Sequence, residues 1–281
     1  MVLTLRIVEA AFFDLDRTVI AKASMMAFGR EFHRAGLLGR RSLVRGLWTQ
    51  LAFVRRGASA EELARIRQAV LALIAGWDQG RVQHIVTSTL GTVLDPITYA
   101  EAIDTIEDHR AQGRLTVIIS AAPQEIVEPL AHYLGVDVGL GSRAEVDAEG
   151  HYTGRMDRYA YGRAKAELME ELAAERGVDL AASWAYSDSV TDVPMLEAVG
   201  HPVAVNPDRS LERLAEARKW PVLHFERMIE RPEPGLRSKG RPIPSPRGRQ
   251  PSWLLLGAPA VAVVTAGGAL WWYRHPPTAD R

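Results

Sequence analysis

Cysteine is absent from the chain, which excludes disulfides and metal sites built on thiolates and is compatible with a reducing compartment. The eight histidines show no spacing suited to a metal, and no nucleic-acid motif or internal repeat is present. No charged start precedes an apolar run at the N-terminus, so we expect no signal peptide. What remains is a chain of 281 residues, 47% hydrophobic, which is ample for one α/β core with an inserted domain.

Two acidic residues, Asp14 and Asp16, follow the first apolar run of the chain, in the stretch Phe13-Asp14-Leu15-Asp16-Arg17-Thr18. An apolar run of this length predicts a short buried strand. Because unpaired buried charge is costly, two carboxylates at the end of such a strand indicate chemistry rather than packing. The pattern alone also fits a calcium loop or a turn, so residues later in the chain are needed to distinguish these interpretations.

Three later features follow the same pattern. The apolar run 115–119 ends at Ser120, Lys165 lies near the start of a helical pattern, and Asp188 and Asp192 follow a third apolar run. Taken singly, each has a simpler interpretation as a helix cap, a solvated side chain or a turn residue. Together they favour one site, because open α/β sheets bind ligands at the carboxyl ends of their strands.

These four motifs resemble those of the haloacid dehalogenase-like superfamily of phosphohydrolases, over roughly residues 5–220. The match consists of Asp14-x-Asp16-x-Thr18, Ser120, Lys165 and Asp188-x-x-x-Asp192. The segment Val205-Asn206-Pro207-Asp208 is most similar to the subfamily IB hydrolases, relatives of phosphoserine phosphatase. The resemblance implies an α/β fold whose core is a Rossmann-like parallel sheet.

The first two acids have the chemistry for phosphoryl transfer. A carboxylate can attack phosphorus and form an aspartyl phosphate, which makes Asp14 the candidate nucleophile. A second acid two positions on can protonate the leaving oxygen and later deprotonate water, and the resemblance assigns this role to Asp16. Lys165 would neutralise the charge of phosphate and nucleophile, while Thr18 and Ser120 would bind phosphoryl oxygens or order the loop.

An acidic cluster that binds phosphate needs a cation, and Mg²⁺ prefers hard oxygen ligands. The resemblance implies that the Asp14 carboxylate, the Asp16 backbone carbonyl and the Asp188 carboxylate hold the metal, with Asp192 in support. The expected cofactor is therefore Mg²⁺, and the expected partner is a small phosphorylated substrate.

About a hundred residues separate the first two motifs, more than a strand–helix–strand crossover needs. Apolar residues recur at helical spacing over 24–36, 42–56, 59–75 and 79–90. We therefore predict a helical cap at about 19–95, inserted in a phosphatase domain of residues 1–231, which would exclude water from the site and contact the substrate.

Two residue positions argue against free phosphoserine as the substrate. Phosphoserine phosphatases, by resemblance, carry a glutamate nine positions after the nucleophile, where this chain has Ala23, and an asparagine where it has Thr191. Residues 19–93 also carry eleven Lys or Arg against four Asp or Glu, a net charge of +7 in a chain whose total is zero. Two explanations of this excess have equal weight. The basic residues form a solvated helix face, or they attract an anionic substrate or a membrane surface.

The tail differs from the rest of the chain. Residues 232–252 contain six prolines and five basic residues, typical of a disordered basic linker. Residues 253–273 carry no charge and have aromatic ends, which predicts a transmembrane helix, although an interfacial or docked helix also fits. The positive charge upstream places the catalytic domain in the cytoplasm, with 274–281 as a short tail beyond the membrane.

The sequence therefore predicts a membrane-anchored, Mg²⁺-dependent phosphomonoesterase acting on a membrane-borne phosphate ester. One alternative is a phosphoserine phosphatase or another phosphatase of soluble metabolites. A second alternative is a catalytically silent module that binds a phosphorylated ligand, and a phosphotransferase would use the same intermediate.

Overall fold

The computed structural model describes residues 8–39 and 60–229, which all belong to the first of two units of the chain, Met1–Pro232. Seven strands form one sheet in the order β4-β3-β2-β1-β5-β6-β7. The strands are β1 (Ala10–Phe13), β2 (Leu115–Pro123), β3 (Val138–Val146), β4 (Tyr152–Arg158), β5 (Trp184–Ser187), β6 (His201–Val205) and β7 (Val222–Leu223). All neighbours pair in parallel except β3 and β4, which form an antiparallel hairpin. This is the Rossmann-like α/β fold that the sequence predicts.

Nine helices are assigned in the described parts of the chain. They are α1 (Ser24–Ala27), α2 (Gly29–Arg34), α3 (Ala60–Ile74), α4 (Gln79–Leu94), α5 (Ala100–Ala111), α6 (Gln124–Tyr133), α7 (Arg163–Arg176), α8 (Val193–Glu197) and α9 (Arg209–Arg218). Short 3₁₀ turns lie at Asp95–Ile97, Leu180–Ala182 and Val190–Asp192.

Both faces of the sheet are buried. Phe13 and Ile118 pack into one apolar cluster, under α4, α5 and α6. Their neighbours Phe12 and Val117 point to the other face and pack into a second cluster under α7, α8 and α9. Because successive strand residues alternate between faces, covering both faces requires the continuous apolar runs seen in the sequence.

The helical insert between β1 and β2 is present. The helix predicted over 24–36 is two short helices, α1 and α2, and α4 runs four residues further than the predicted 79–90. The helix predicted over 59–75 corresponds to α3, and the one over 42–56 lies outside the described residues.

The insert is tied to the β3–β4 hairpin by backbone hydrogen bonds. Gly76 N–H donates to the Tyr152 carbonyl at 2.8 Å, and Tyr152 N–H donates to the Trp77 carbonyl at 3.0 Å. At the start of α4, Gln79 Nε2 donates to the buried carboxylate of Glu125 on α6, at 2.8 Å. Hydrogen bonds to a buried charged group are among the stronger ones, so this contact fixes the insert on the core.

One predicted boundary is wrong. The strand expected to end before Ser120 continues to Pro123, where it still pairs with Ser142 of β3. The hydroxyl of Ser142 donates to the Ala121 carbonyl at 2.8 Å and so extends the pairing. Pro123, the last residue of β2, is the N-cap of α6.

Within the residues that the structure describes, no helix is both long and apolar enough to cross a membrane. The predicted linker 232–252, spanning helix 253–273 and tail 274–281 all lie outside the described residues.

Candidate active site

Asp14 lies directly after β1, at the centre of the sheet. Its backbone N–H donates to the Tyr186 carbonyl at 2.9 Å, so the pairing of β1 with β5 continues up to the site. The rings of Phe13 and Tyr186 stack with their centroids 4.6 Å apart and fix the two strand ends against each other. The carboxylate of Asp14 is buried, with 5% of the residue exposed.

A tight loop follows Asp14. The Leu15 carbonyl accepts hydrogen bonds from Val19 N–H at 2.9 Å and from Ile20 N–H at 3.0 Å. The reversal requires a left-handed backbone at Arg17, whose φ is 69°. As a result the Thr18 hydroxyl lies 3.5 Å from Asp14 Oδ2, at the outer limit of a hydrogen bond.

Lys165 joins the first and last motifs. It lies in the first turn of α7, one of whose faces is buried against the sheet. Its Nζ is 2.5 Å from Asp14 Oδ1 and 2.6 Å from Asp192 Oδ2, and only 3% of the residue is exposed. A single buried ammonium therefore bridges two carboxylates that lie 178 positions apart in the chain, Asp14 and Asp192.

The end of β5 supplies the remaining acids. Asp188 follows the strand directly, and the 3₁₀ turn after it places Asp192 beside Lys165. Ser187 Oγ also donates to Asp192 Oδ2, at 2.7 Å, so both neighbours of this oxygen are donors. Asp188 contacts the first loop, where its Oδ2 lies 3.2 Å from Arg17 Nε.

Burial dominates the electrostatics of this cluster. Burial raises the pKa of Asp14 well above its usual range, the Lys165 charge opposes this, and Asp192 and Asp188 add to it. Burial likewise raises the pKa of Asp188 to about 7, partly opposed by Arg17. Burial alone would lower the pKa of Lys165, but the two carboxylates outweigh it and hold that pKa above the ordinary value. Lys165 therefore stays charged.

Asp16 is held differently from Asp14. Its Oδ1 accepts a hydrogen bond from the backbone N–H of Ser24 at 2.8 Å, so the first helix of the insert fixes this side chain. Burial raises the pKa of Asp16, and hydrogen bonds from Ser24 oppose the rise. A carboxyl with a raised pKa retains its proton closer to neutral pH, as a general acid requires.

Ser120 belongs to the neighbouring strand. In the β1–β2 register Phe13 pairs with Ile118, so Ser120 lies beside the first loop, at the same edge of the sheet. Its Oγ accepts from Ala122 N–H at 3.1 Å, which leaves the hydroxyl proton for another acceptor. No described hydrogen bond links Ser120 to the acids, so only its position is established.

Carboxylates outnumber cations at this site, which bears on the expected metal. Three buried acids, Asp14, Asp188 and Asp192, face one buried cation, Lys165. Burial is the main cause of the raised pKa values of Asp14 and Asp188, and the neighbouring acids raise them further. The hard oxygen donors and this excess fit Mg²⁺. In residues 8–39 and 60–229, no group of three or more His, Asp or Glu side chains is arranged to hold a metal. The predicted ligand set is of another kind, since it needs two carboxylates and one backbone carbonyl.

Two residues of the cluster escaped the sequence reasoning. Arg17 lies inside the first motif, directly after Asp16, and a basic residue at a cluster of acids is the signal that could have indicated an ion pair. Ser187 immediately precedes Asp188, and its type alone gives no signal. The two positions that depart from phosphoserine phosphatases are also near the site: Ala23 is the N-cap of α1, and the Thr191 hydroxyl lies 3.0 Å from that of Ser189.

Comparison with known proteins defines the class. A family described as haloacid dehalogenase-like hydrolase matches residues 11–197, and the chain belongs to this family. It is 46% identical over 271 residues to the "Inhibition of morphological differentiation protein" of Streptomyces azureus, covering 96% of this chain and 95% of that one. It is also 46% identical to a "Probable phosphatase" of Mycobacterium tuberculosis, over 78% of this chain and 76% of that one. A phosphoserine phosphatase of the same organism is 32% identical, over 77% of this chain and 70% of that one.

Solved structures show the same fold. A protein of unknown function from Bordetella pertussis superposes with a TM-score of 0.67 at 28% identity, covering 77% of this chain and 98% of that one. A phosphoserine phosphatase, solved as an analogue of its phospho-aspartyl intermediate, gives a TM-score of 0.56 at 18% identity, over 80% and 96% of the two chains. The solved structures show the shared fold, whereas the family match and the relatives of 32–46% identity make the chain a phosphatase of this family, of the phosphoserine phosphatase-like type.

Proposed function

We propose that the protein is a Mg²⁺-dependent phosphomonoesterase that forms an aspartyl phosphate on Asp14 and acts on a small, water-soluble phosphate ester. The observation that carries the proposal is the buried Lys165 bridge between Asp14 and Asp192. A silent binding module has no need to keep a buried ammonium on a carboxylate, because such pairs cost desolvation that they barely repay.

The chemistry follows from the residues in place. An Asp14 oxygen attacks phosphorus and the ester P–O bond breaks, while Asp16 gives its proton to the leaving oxygen. Water then attacks phosphorus while Asp16 takes a proton from it, the bond between phosphorus and the Asp14 oxygen breaks, and phosphate leaves the restored Asp14 carboxylate. Lys165 holds the orientation and charge of Asp14, and the hydroxyls of Thr18 and Ser120 donate to phosphoryl oxygens.

Asp14, Asp188 and the backbone carbonyl of Asp16 would hold Mg²⁺, with Asp192 supporting through its hydrogen bonds. When bound, the metal supplies positive charge that lets an anionic phosphate approach three buried acids. Asp192 is already occupied by Lys165 and Ser187, which favours a supporting role over direct ligation.

The choice of a soluble ester is supported by the relatives whose printed names include an activity. One is a phosphoserine phosphatase that aligns with 77% of this chain. Because Ala23 and Thr191 replace the residues that the resemblance assigns to phosphoserine phosphatases, we propose a related small ester rather than phosphoserine itself.

The test is hydrolysis of a broad panel of phosphomonoesters by wild type and by the Asp14→Asn variant, with and without Mg²⁺. We expect at least one soluble ester to be hydrolysed by wild type with Mg²⁺ and none by the variant. If the two proteins are indistinguishable across the panel, the proposal is wrong. Adding acceptor alcohols to the same assay would reveal a phosphotransferase.

A membrane-borne ester is the second candidate, and the uncharged run 253–273 after a basic linker favours it. For this second candidate we also propose that the chain is a single-pass tail-anchored protein whose catalytic domain faces the cytoplasm. Carbonate extraction of membranes and protease protection test this placement: recovery of the full chain in the soluble fraction would refute it.

A further inference from the structure

Arg17 holds an unusual backbone conformation in the middle of the first motif. Its φ is 69°, a region that side-chain-bearing residues rarely adopt. In the described part of the chain, the other non-glycine residues with positive φ are Asn206, a residue type that tolerates this region, and Lys219, the C-cap of α9. The loop hydrogen bonds at Leu15 maintain the conformation at Arg17 despite its cost.

This conformation directs the Arg17 side chain across the strand ends to Asp188. Nε lies 3.2 Å from Asp188 Oδ2, and the Arg17 side chain is 55% exposed while that of Asp188 is 5% exposed. The buried acids thus have two different cations. Asp14 and Asp192 share Lys165, which is buried, whereas Asp188 takes its cation from a side chain at the surface of the protein.

The two cations, Lys165 and Arg17, differ in how easily they can dissociate from their carboxylate partners. Removing Lys165 would strand two buried carboxylates, which is strongly unfavourable. The guanidinium of Arg17 is more than half exposed and already partly hydrated, so it gives up less on leaving its partner than the buried ammonium of Lys165 would. Arg17 is therefore the cation of this cluster that a divalent ion can displace more easily, because the ion restores the positive charge beside Asp188.

We infer that Arg17 is a built-in counter-ion of Asp188 that competes with the divalent cation, and so sets the metal affinity of the site. The inference rests on the proposed function, which assigns the Asp188 carboxylate to Mg²⁺. A guanidinium on Oδ2 occupies one of the two Asp188 oxygens and offsets the negative charge that both share, so it weakens this carboxylate as a metal ligand. The charge of Arg17 also repels a cation that approaches the site.

The test is Mg²⁺ binding by calorimetry on the full-length protein at low ionic strength, without substrate. Arg17→Asn removes the charge with a residue that tolerates left-handed backbone, and Arg17→Gly does so with no backbone strain at all. We expect both variants to bind Mg²⁺ roughly twofold to fivefold more tightly than wild type, the range that follows from the strength of such an ion pair. The gain should shrink at high salt, because salt screens the pair.

Two further variants are controls. Arg17→Lys keeps the charge and should bind Mg²⁺ within twofold of wild type. Lys219→Asn removes another cation at positive φ, at the end of α9 rather than at the site, and should leave the affinity unchanged. Far-UV circular dichroism checks that every variant is folded.

The outcomes separate this inference from the proposed function. If wild type binds Mg²⁺ and both charge-removing variants bind it equally or more weakly, Arg17 does not compete for Asp188 and the inference is overturned. A raised KM at unchanged Mg²⁺ affinity would instead make Arg17 a substrate contact, which also overturns it. If wild type binds no Mg²⁺, the metal dependence in the proposed function fails as well.

Discussion

At the scale of single residues, the site separates two acids that the sequence presents as a pair. Asp14 is bound to the buried Lys165, whereas Asp16 accepts a hydrogen bond from Ser24 of the insert. The ammonium orients the Asp14 carboxylate for attack and opposes the rise in its pKa. Burial also raises the pKa of Asp16, which has no ammonium within hydrogen-bond distance among the residues that the structure describes, and this carboxyl suits proton transfer. Substitution of the two acids should therefore impair catalysis in different ways.

Asp14→Asn should abolish turnover of every substrate, because the nucleophile is lost. Asp16→Asn should lower kcat by ~10²–10⁴-fold on alkyl phosphates, whose leaving oxygen needs a proton. The loss should be much smaller in formation of the aspartyl phosphate from p-nitrophenyl phosphate, whose leaving group needs none. Rapid-quench kinetics on both substrates measure this difference, with the exposed Asp157→Asn as control. Equal losses for Asp16→Asn on both substrates would contradict the assignment.

The raised pKa of Asp188 gives the metal-free protein a defined pH dependence. Because its folded pKa is about 7, above the unfolded value, Asp188 stabilises the fold fully below pH ~4 and less as pH rises through 7. Asp188→Asn removes this loss and should stabilise the metal-free protein at pH 8, on the order of 1–3 kcal/mol. Urea unfolding in EDTA at pH 5 and pH 8 measures it. A variant less stable than wild type at pH 8 would show that the Arg17 ion pair outweighs the burial of Asp188.

Sequence reasoning singled out the acids and Ser120 because they follow apolar runs, and Lys165 because it starts a helical pattern between them. It missed the contact between Arg17 and Asp188, since that contact depends on one positive φ angle that sequence spacing does not encode. It also missed Ser187, whose role is set by where the 3₁₀ turn carries Asp192. Side-chain partners of this kind follow from tertiary geometry and are accessible only in the folded structure.

At the scale of elements, the start of α6 is fastened to β3 through Gln124. Its side chain donates to the Gly139 carbonyl at 2.9 Å and accepts from Gly141 N–H at 2.6 Å. A Cβ at Gly141 would lie 2.8 Å from the Gln124 backbone nitrogen, closer than real contacts. The absence of a side chain at Gly141 is what lets β3 pass this close to the segment that carries Ser120.

Gly141→Ala should therefore push α6 and the end of β2 away from β3. We expect a loss of stability of about 1–3 kcal/mol from overpacking, together with a fall in kcat/KM as Ser120 shifts. Gly39→Ala is the matched control, because a Cβ there meets no atom of the described residues within 4 Å. Thermal unfolding and steady-state kinetics on both variants test this. Full activity in a destabilised Gly141→Ala protein would show that Ser120 does not depend on this packing.

The elements also show why the sequence predicted strands better than their ends. The apolar run 115–119 is read correctly as a strand, but Ser120, Ala121 and Ala122 carry no pattern that extends it. The strand continues because Ser142 on β3 pairs with it through side chain and backbone. The helix predicted over 24–36 is divided at Phe28, which is the C-cap of α1 and the N-cap of α2.

At the scale of the whole molecule, we propose separate roles for the phosphatase domain and the uncharged tail. If the substrate is a soluble ester, the tail contributes location only, and residues 1–231 should hydrolyse it with the kcat/KM of the full chain. A membrane-borne substrate would instead make activity on vesicles depend on the tail, because tethering raises the local concentration. Assays of both proteins on soluble esters and on lipid phosphate in vesicles distinguish the two. A large loss on vesicles that is confined to the truncated protein would favour the membrane-borne ester.

The central claim is that Asp14 receives the phosphoryl group. A crystal structure of the wild type grown with Mg²⁺ and beryllofluoride, which mimics a phosphorylated carboxylate, tests it most directly. We expect beryllofluoride on an Asp14 oxygen, with Lys165 still in contact with the Asp14 side chain, and no adduct in Asp14→Asn. An adduct on Asp188 or Asp192, or an unmodified Asp14 at saturating beryllofluoride, would contradict the account.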